Sequence, residues 1–334
     1  MQRRQVLASL GALLAAGCLG AKRPETASGV RTEGDLSQVT RTPESTDTPE
    51  PTATPEPTET PEPTPSEENV DAGDEAIERV QSAFADTVET YTGSDDGALA
   101  DVPFTTGAFD VRTVLLSLDT VQSELAAAES AAVTDDQRET VADLRVAETF
   151  LTHAALAHSY FVESTDRLDA TYAAFDADAD ADDEIDAVSD AENRFDTVFD
   201  RGSSRVSTIK NDVDDDPVAV AAPFDDDTYD DTVERFEVIR AILDDASSGL
   251  DRMLQGLDEF EEAHEDEEDD DDDDAADRAD EARELFDEAY DLFDDAADAA
   301  GDADDDDLEA LLEDLRDVAD ERYVDADDFY DDVT

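Results

Sequence analysis

The sequence predicts an all-α protein: an elongated antiparallel helical bundle of about seven long, heptad-patterned helices after a disordered N-terminal stalk. Three observations carry this. From residue 70 onward, apolar residues recur at alternating steps of three and four, which places them along one helical face. No run of alternating β-branched residues appears, so strands are not expected. Residues 41–66, RTPESTDTPEPTATPEPTETPEPTPS, are almost entirely Thr, Pro, Glu and Ser and offer nothing to bury.

The first helix is expected over about 74–91, with Ile77, Val80, Phe84, Val88 and Tyr91 on its stripe, followed by a loop carrying Gly93, Gly97, Pro103 and Gly107. The second, about 108–132, carries Val111, Val114, Leu118, Val121, Leu125 and Ala128. The third, about 135–175, runs from Leu144 through Leu151, His158, Phe161, Leu168 and Tyr172 to Phe175 in an unbroken heptad. Val146, Phe150 and Ala157 lie off that stripe, which marks this helix as the most surrounded. The fourth, about 182–213, uses Ile185, Val188, Phe195, Val198, Val206 and Ile209, and Pro217 and Pro223 then break the chain. The fifth, about 226–265, is again strictly heptad, from Tyr229 to Phe260. The sixth, about 275–300, alternates Ala with Phe286 and Phe293, and Gly301 is expected to close it. The seventh, about 303–332, carries Leu308, Leu311, Leu315, Val318, Phe329 and Val333.

The third and fifth helices would each be about 60 Å long, far longer than those of helical-repeat arrays, and no fixed repeat period is present. Short polar turns between heptads favour antiparallel hairpins. The bundle is expected in two parts, 70–215 and 216–334, the second holding an acidic linker at 265–274, EDEEDDDDDD.

The first 20 residues, MQRRQVLASLGALLAAGCLG, are unlike the rest. Arg3 and Arg4 precede an apolar run, Val6 to Ala16, that is too short to span a membrane, which takes about 20 apolar residues. Residues 1–17 therefore read as a removable export signal, and residues 18–69 as a lipid-bearing cysteine with its stalk. Ala15, Ala16 and Gly17 lead into Cys18, the only cysteine, and this ending resembles a lipobox. The resemblance implies cleavage before Cys18, lipid on its sulfur and a protein held on the extracellular face of the cell membrane. Arg3-Arg4-Gln5-Val6-Leu7 also resembles a twin-arginine export motif, with Val6 in the usual Phe position; a Sec signal with incidental arginines is the other reading. One acyl chain of myristoyl size gives only about 10⁴ M⁻¹ of membrane binding, so a two-chain lipid is expected. Fully extended as polyproline II, the 26 residues 41–66 would span roughly 80 Å. Thr beside Pro there resembles O-glycosylated stalks, and a bare spacer serves equally well.

The chain holds 97 acidic and 22 basic residues, for a formal charge of −75, and its only lysines are Lys22 and Lys210. This composition resembles that of haloarchaeal proteins and, with the lipobox, that of haloarchaeal secreted lipoproteins. Two carboxylates about 6 Å apart repel by roughly 0.7 kcal/mol in water. Summed over dozens of neighbours this exceeds a typical folding stability of about 5–15 kcal/mol. At about 1 M salt the screening length falls to about 3 Å and most of that repulsion disappears.

No catalytic cluster is legible. Cys18 is taken by lipid, and neither a Gly-x-Ser-x-Gly elbow nor a Gly-rich phosphate loop occurs. A calcium loop starting at Asp302 has acids in place but Asp307 where glycine is needed, and one starting at Asp176 lacks both the glycine and the final glutamate. Glu261 and His264 form the only Glu-x-x-His pair, where a di-iron bundle needs two. The Gly-x-His-x-x-Glu signature of imelysin-type bundles is absent. Nucleic acid is excluded by charge, since this surface repels phosphate. Expected, then, are no enzyme activity, no cofactor and no metal. The expected partners are the membrane through Cys18, an envelope protein bound by a structural scaffold, and cations held weakly and non-specifically. The rival reading is a solute- or cation-binding lipoprotein with a pocket lined by His158, Tyr160 and Tyr172. Against it stands His158 as a hydrogen-bonded core residue.

Overall fold

The computed structural model describes residues 65–94, 97–104, 109–175, 181–268 and 271–334. Seven α-helices lie among them: α1 (Glu67–Thr92), α2 (Val111–Ala131), α3 (Asp135–Tyr172), α4 (Ala181–Asp212), α5 (Thr228–Glu268), α6 (Asp272–Asp302) and α7 (Asp306–Val333). Two short 3-10 turns, Leu99–Asp101 and Val218–Val220, complete the elements, and no strand occurs among the described residues. Residues 1–64, which include Arg3 and Arg4 of the expected signal, Cys18 and most of the expected stalk, lie outside them.

Side-chain caps set the helix starts. Ser66 accepts from the Asn69 N–H, which starts α1 seven residues before the first expected position. Thr134 and Gln137 form a reciprocal capping box at α3. The Gln137 amide also donates to Val70 O and Asp74, tying the start of α3 to α1. Asp110 accepts from Arg112 and Thr113 at α2, and Asp305 from Leu308 at α7. Carboxylates fill the first turns of α1, α3, α5, α6 and α7, where the helix dipole favours them.

Successive helices run antiparallel, and the cross-helix pairs give the register. Arg79 meets Glu124 and Thr87 meets Ser117 between α1 and α2. Arg283 meets Asp327 and Arg316 meets Asp294 between α6 and α7. In each case numbers rise on one helix as they fall on the other. The heptad stripes are buried as their spacing implies, including Val80 and Phe84 on α1, Leu144, Leu151 and Phe161 on α3, and Ile239, Leu243 and Leu250 on α5. Phe150 and Ala157 are buried too, because α3 packs against α1, α2, α4, α5 and α7.

Residues Glu62–Thr334 form one compact unit. The connection near 216, where the sequence suggests two parts, is itself packed. Val218 and Ala221 are fully buried, and the Gln81 amide of α1 donates to Val220 O and accepts from the Ala222 N–H. Phe224 stands edge-on to Phe84 and Phe150.

Two expectations are corrected. Most of the ten-acid run is helix rather than linker: α5 continues to Glu268 and α6 begins at Asp272. Arg278 of α6 reaches Glu259, Glu262 and Asp266 of α5, so three carboxylates share one cation across the hairpin. Gly301 does not close α6; it is helical, and the chain turns at Asp304, whose φ of 56° is left-handed. Aspartate tolerates that region better than most residues.

Gly249 and Gly256 sit one heptad apart on α5, facing Phe293 and Phe286 of α6, also one heptad apart. A Cβ on Gly249 would lie 2.6 Å from the Phe293 ring, and one on Gly256 would lie 2.5 Å from that of Phe286. Alanine would favour the helix by about 1 kcal/mol, but a rigid ring cannot yield cheaply, and overpacking costs about 1–3 kcal/mol. Gly249→Ala is therefore expected to destabilise the bundle by about 1 kcal/mol, with part of the loss recovered when Phe293→Leu is added. Denaturant melts of the two single variants and the double variant check this; additive losses would mean that the ring does not occupy the notch.

Candidate functional site

The segment between α1 and α2 packs on a fully buried polar group, His158. Leu99, Val102 and Phe104 are buried, so a stretch expected as plain loop is a wedge of core beside α5. Its Pro103 carbonyl lies 3.1 Å from His158 Nε2 on α3. Phe104 stacks on the imidazole at 4.4 Å between centroids, Phe109 lies at 4.3 Å, and Tyr91 and Phe236 stand edge-on. His158 is fully buried, and its Nδ1 has no hydrogen-bond partner. With Nε2–H donating to Pro103, the neutral ring is satisfied on one side and carries a lone pair on the other. Burial pushes its pKa down to about 4, against the Pro103 carbonyl, which favours the cation, and with the Arg235 charge adding to the depression. Burial likewise pushes the Tyr91 phenol up.

The two tyrosines expected beside His158 are not brought to it. Tyr160 is two residues on, roughly 200° around the helix, and Tyr172 is fourteen residues on, roughly 20 Å along it. Both are half-buried, and Tyr172 packs against the core at its own level. The rings that surround His158 come instead from α1, α5 and the wedge. A heptad reading of α3 alone carries no signal for them; the run Val102-Pro103-Phe104 is the one local hint.

On the far side of Phe104 lies a groove of about 860 Å³ between the wedge, α5 and the α6–α7 turn. Asp101, Asp231, Glu234, Asp302 and Asp304 line it together with one cation, Arg235. Arg235 Nη1 donates to Ala303 O at 2.7 Å, and its guanidinium lies 5.4 Å from the Phe104 ring centroid. Nη2 is 3.8 Å from Asp305, close enough for charge attraction and too long for a hydrogen bond. Burial raises the Asp305 pKa, opposed by the Leu308 N–H and by Arg235. A smaller cavity of about 320 Å³ lies on the other side of the wedge, between Val88, Leu99, Phe224 and the start of α5.

Arg235 is thus committed to the fold, and His158 is sealed behind Phe104. What the groove presents to solvent is carboxylate. Among the described residues no group of three or more His, Cys, Asp or Glu side chains is placed to hold a metal ion. The acids of the Asp302 loop cap or flank the start of α7, and residues 176–180 of the other tested loop lie outside the described residues. His264 of the Glu-x-x-His pair packs its ring on Phe260 and Phe329. No helix among the described residues is long and apolar enough to cross a membrane. No protein-family model, curated protein or solved structure matches the chain.

Proposed function

We propose that this chain is a lipid-anchored protein of halophilic archaeal type, held on the extracellular face of the membrane by Cys18. Its helical bundle serves there as a non-enzymatic scaffold that binds another envelope protein. The observation that carries the reading is the order of its parts. A short apolar signal ends at the single cysteine, a Thr/Pro segment follows, and then comes a bundle whose acidity suits concentrated salt. The burial of His158, sealed under Phe104 and Phe109 with its Nε2 on the Pro103 carbonyl, supports a core rather than a catalytic role for it. The acidic groove beside Arg235 favours a second reading, capture of cations or cationic solutes; stoichiometric binding by the purified chain in molar salt would favour it over the scaffold.

Cys18→Ser tests the anchor. The variant is expected to appear in the medium or to accumulate as an uncleaved precursor, read by fractionation and mass. A variant that stays membrane-bound at the normal mature size would refute lipidation at Cys18.

A further inference from the structure

The seam between α4 and α5 holds a group of acids with no cation among them. Glu192 of α4 is only 7 % exposed. The Asp196–Ser247 contact between α4 and α5 sets an antiparallel register that puts Glu192, four residues back, level with Asp251, four residues on, and the two carboxyl groups hydrogen-bond each other. One turn along α4, Asp196 accepts from Ser247 Oγ of α5 at 2.8 Å, and Asp200 lies beyond it. Among the described residues no lysine or arginine forms an ion pair with Glu192, Asp196 or Asp251. Two carboxyl groups that hydrogen-bond each other need one proton between them, because the fully ionised pair has two acceptors and no donor.

We propose that the α4–α5 seam is a proton-gated joint, in which a hydrogen shared by Glu192 and Asp251 holds the middle of α4 against α5 and its loss releases that stretch. The surroundings agree. From α3, the contact of Phe161 with Gly202 sets an antiparallel register that brings buried Leu168 and Thr171 to the level of Phe195 and Glu192. Arg167 of α3 is engaged by Glu163. From α7, Arg322 pairs with Glu184, about two turns away along α4. At the other end Lys210 pairs with Glu237 of α5. The ends of α4 are thus tied by ion pairs, whereas at Glu192 the polar tie to α5 is a shared proton. Asp251 is exposed, so water can take the proton. Burial, the Asp251 hydrogen bond and the charges of Asp196 and Asp251 push the Glu192 pKa up to about 7. Salt does not remove the effect, because no ion fits between two groups in direct hydrogen-bond contact and a partly buried pair is screened far less than an exposed one.

The sign follows. A carboxyl whose pKa is higher folded than unfolded stabilises the seam while protonated, and that contribution falls as pH rises from about 4.3 through 7. The test is native-state hydrogen exchange on the full chain in about 3 M KCl, corrected for the intrinsic pH dependence of exchange. Between about pH 5.5 and about pH 8.5, protection in residues 189–200 is expected to fall at least about tenfold, with α6 and α7 unchanged. In Glu192→Gln, whose amide supplies its own donor, protection at the higher pH should stay within about twofold of that at the lower. Asp251→Asn is read the same way should Glu192→Gln not fold. Should neither fold, the wild-type profile decides. Protection in 189–200 that is independent of pH, a loss spread evenly over all helices, or a variant that loses protection as the wild type does would overturn the proposal.

Discussion

Dialysis from about 3 M KCl into about 10 mM buffer is expected to abolish the cooperative melt of the bundle and most of its helical circular dichroism. At one cation per carboxylate, 22 basic residues leave 75 of the 97 acids uncompensated. The arginines are already shared, Arg278 among Glu259, Glu262 and Asp266, and Arg316 among Asp294, Glu313 and Asp317. At about 10 mM the screening length is roughly 30 Å, so every helix feels the charge of its neighbours. The apolar force opposing this is thin along α6, whose buried stripe is alanine apart from Phe286 and Phe293. Burial stabilises by about 25 cal/mol per Å², and alanine has little area to bury. The α6–α7 hairpin should therefore lose helix first as salt is lowered. A chain that melts cooperatively and stays fully helical in the dilute buffer would remove the physical basis of the halophilic reading.

Phe104→Ala is expected to cost about 3–5 kcal/mol, among the largest losses available from one side chain. Its ring supports the Arg235 guanidinium and stacks on His158. The same substitution should change the acid limb of stability. His158 has a folded pKa of about 4 against an ordinary value near 6.5, so the unfolded chain binds the extra proton more readily. Stability from this residue is complete above about pH 6.5 and is lost as pH falls toward 4, by roughly 3 kcal/mol in all. Over part of that range Glu192 works in the opposite sense, gaining stability as it takes up its proton. The difference between wild type and His158→Gln at each pH isolates the histidine. Wild type should lose more on acidification than His158→Gln, and Phe104→Ala, which opens the ring to water, should lose less than wild type. Parallel pH profiles for the three proteins would show that His158 does not titrate as a buried base.

The seven helices were legible before the structure because helical burial is periodic in a local window. The heptads of α3 and α5, and the off-stripe Phe150 and Ala157 that mark α3 as surrounded, need no knowledge of what lies opposite. Helix ends were less legible. The ten-acid run looks like linker by charge, yet Arg278 reaching back across the hairpin and the dipole at the start of α6 keep most of it helical. Gly301 looks like a stop, yet Asp304 makes the turn.

The constellation around His158 is the clearest case of tertiary decision. Sequence placed the histidine on a core stripe and named two tyrosines from the same helix. Helical geometry points one of these away and sets the other far along the axis, and the rings that seal the imidazole come from α1, α5 and the 97–109 segment. In the same way the notches at Gly249 and Gly256, the arginine that spans α5 and α6 and the carboxyl pair at Glu192 exist only once antiparallel register is set. By itself the sequence determined the helical class and the faces that would be buried, since period is a property of one stretch of chain. The structure alone decided which side chain meets which, because a contact between residues sixty or a hundred positions apart is a property of packing and leaves no period behind.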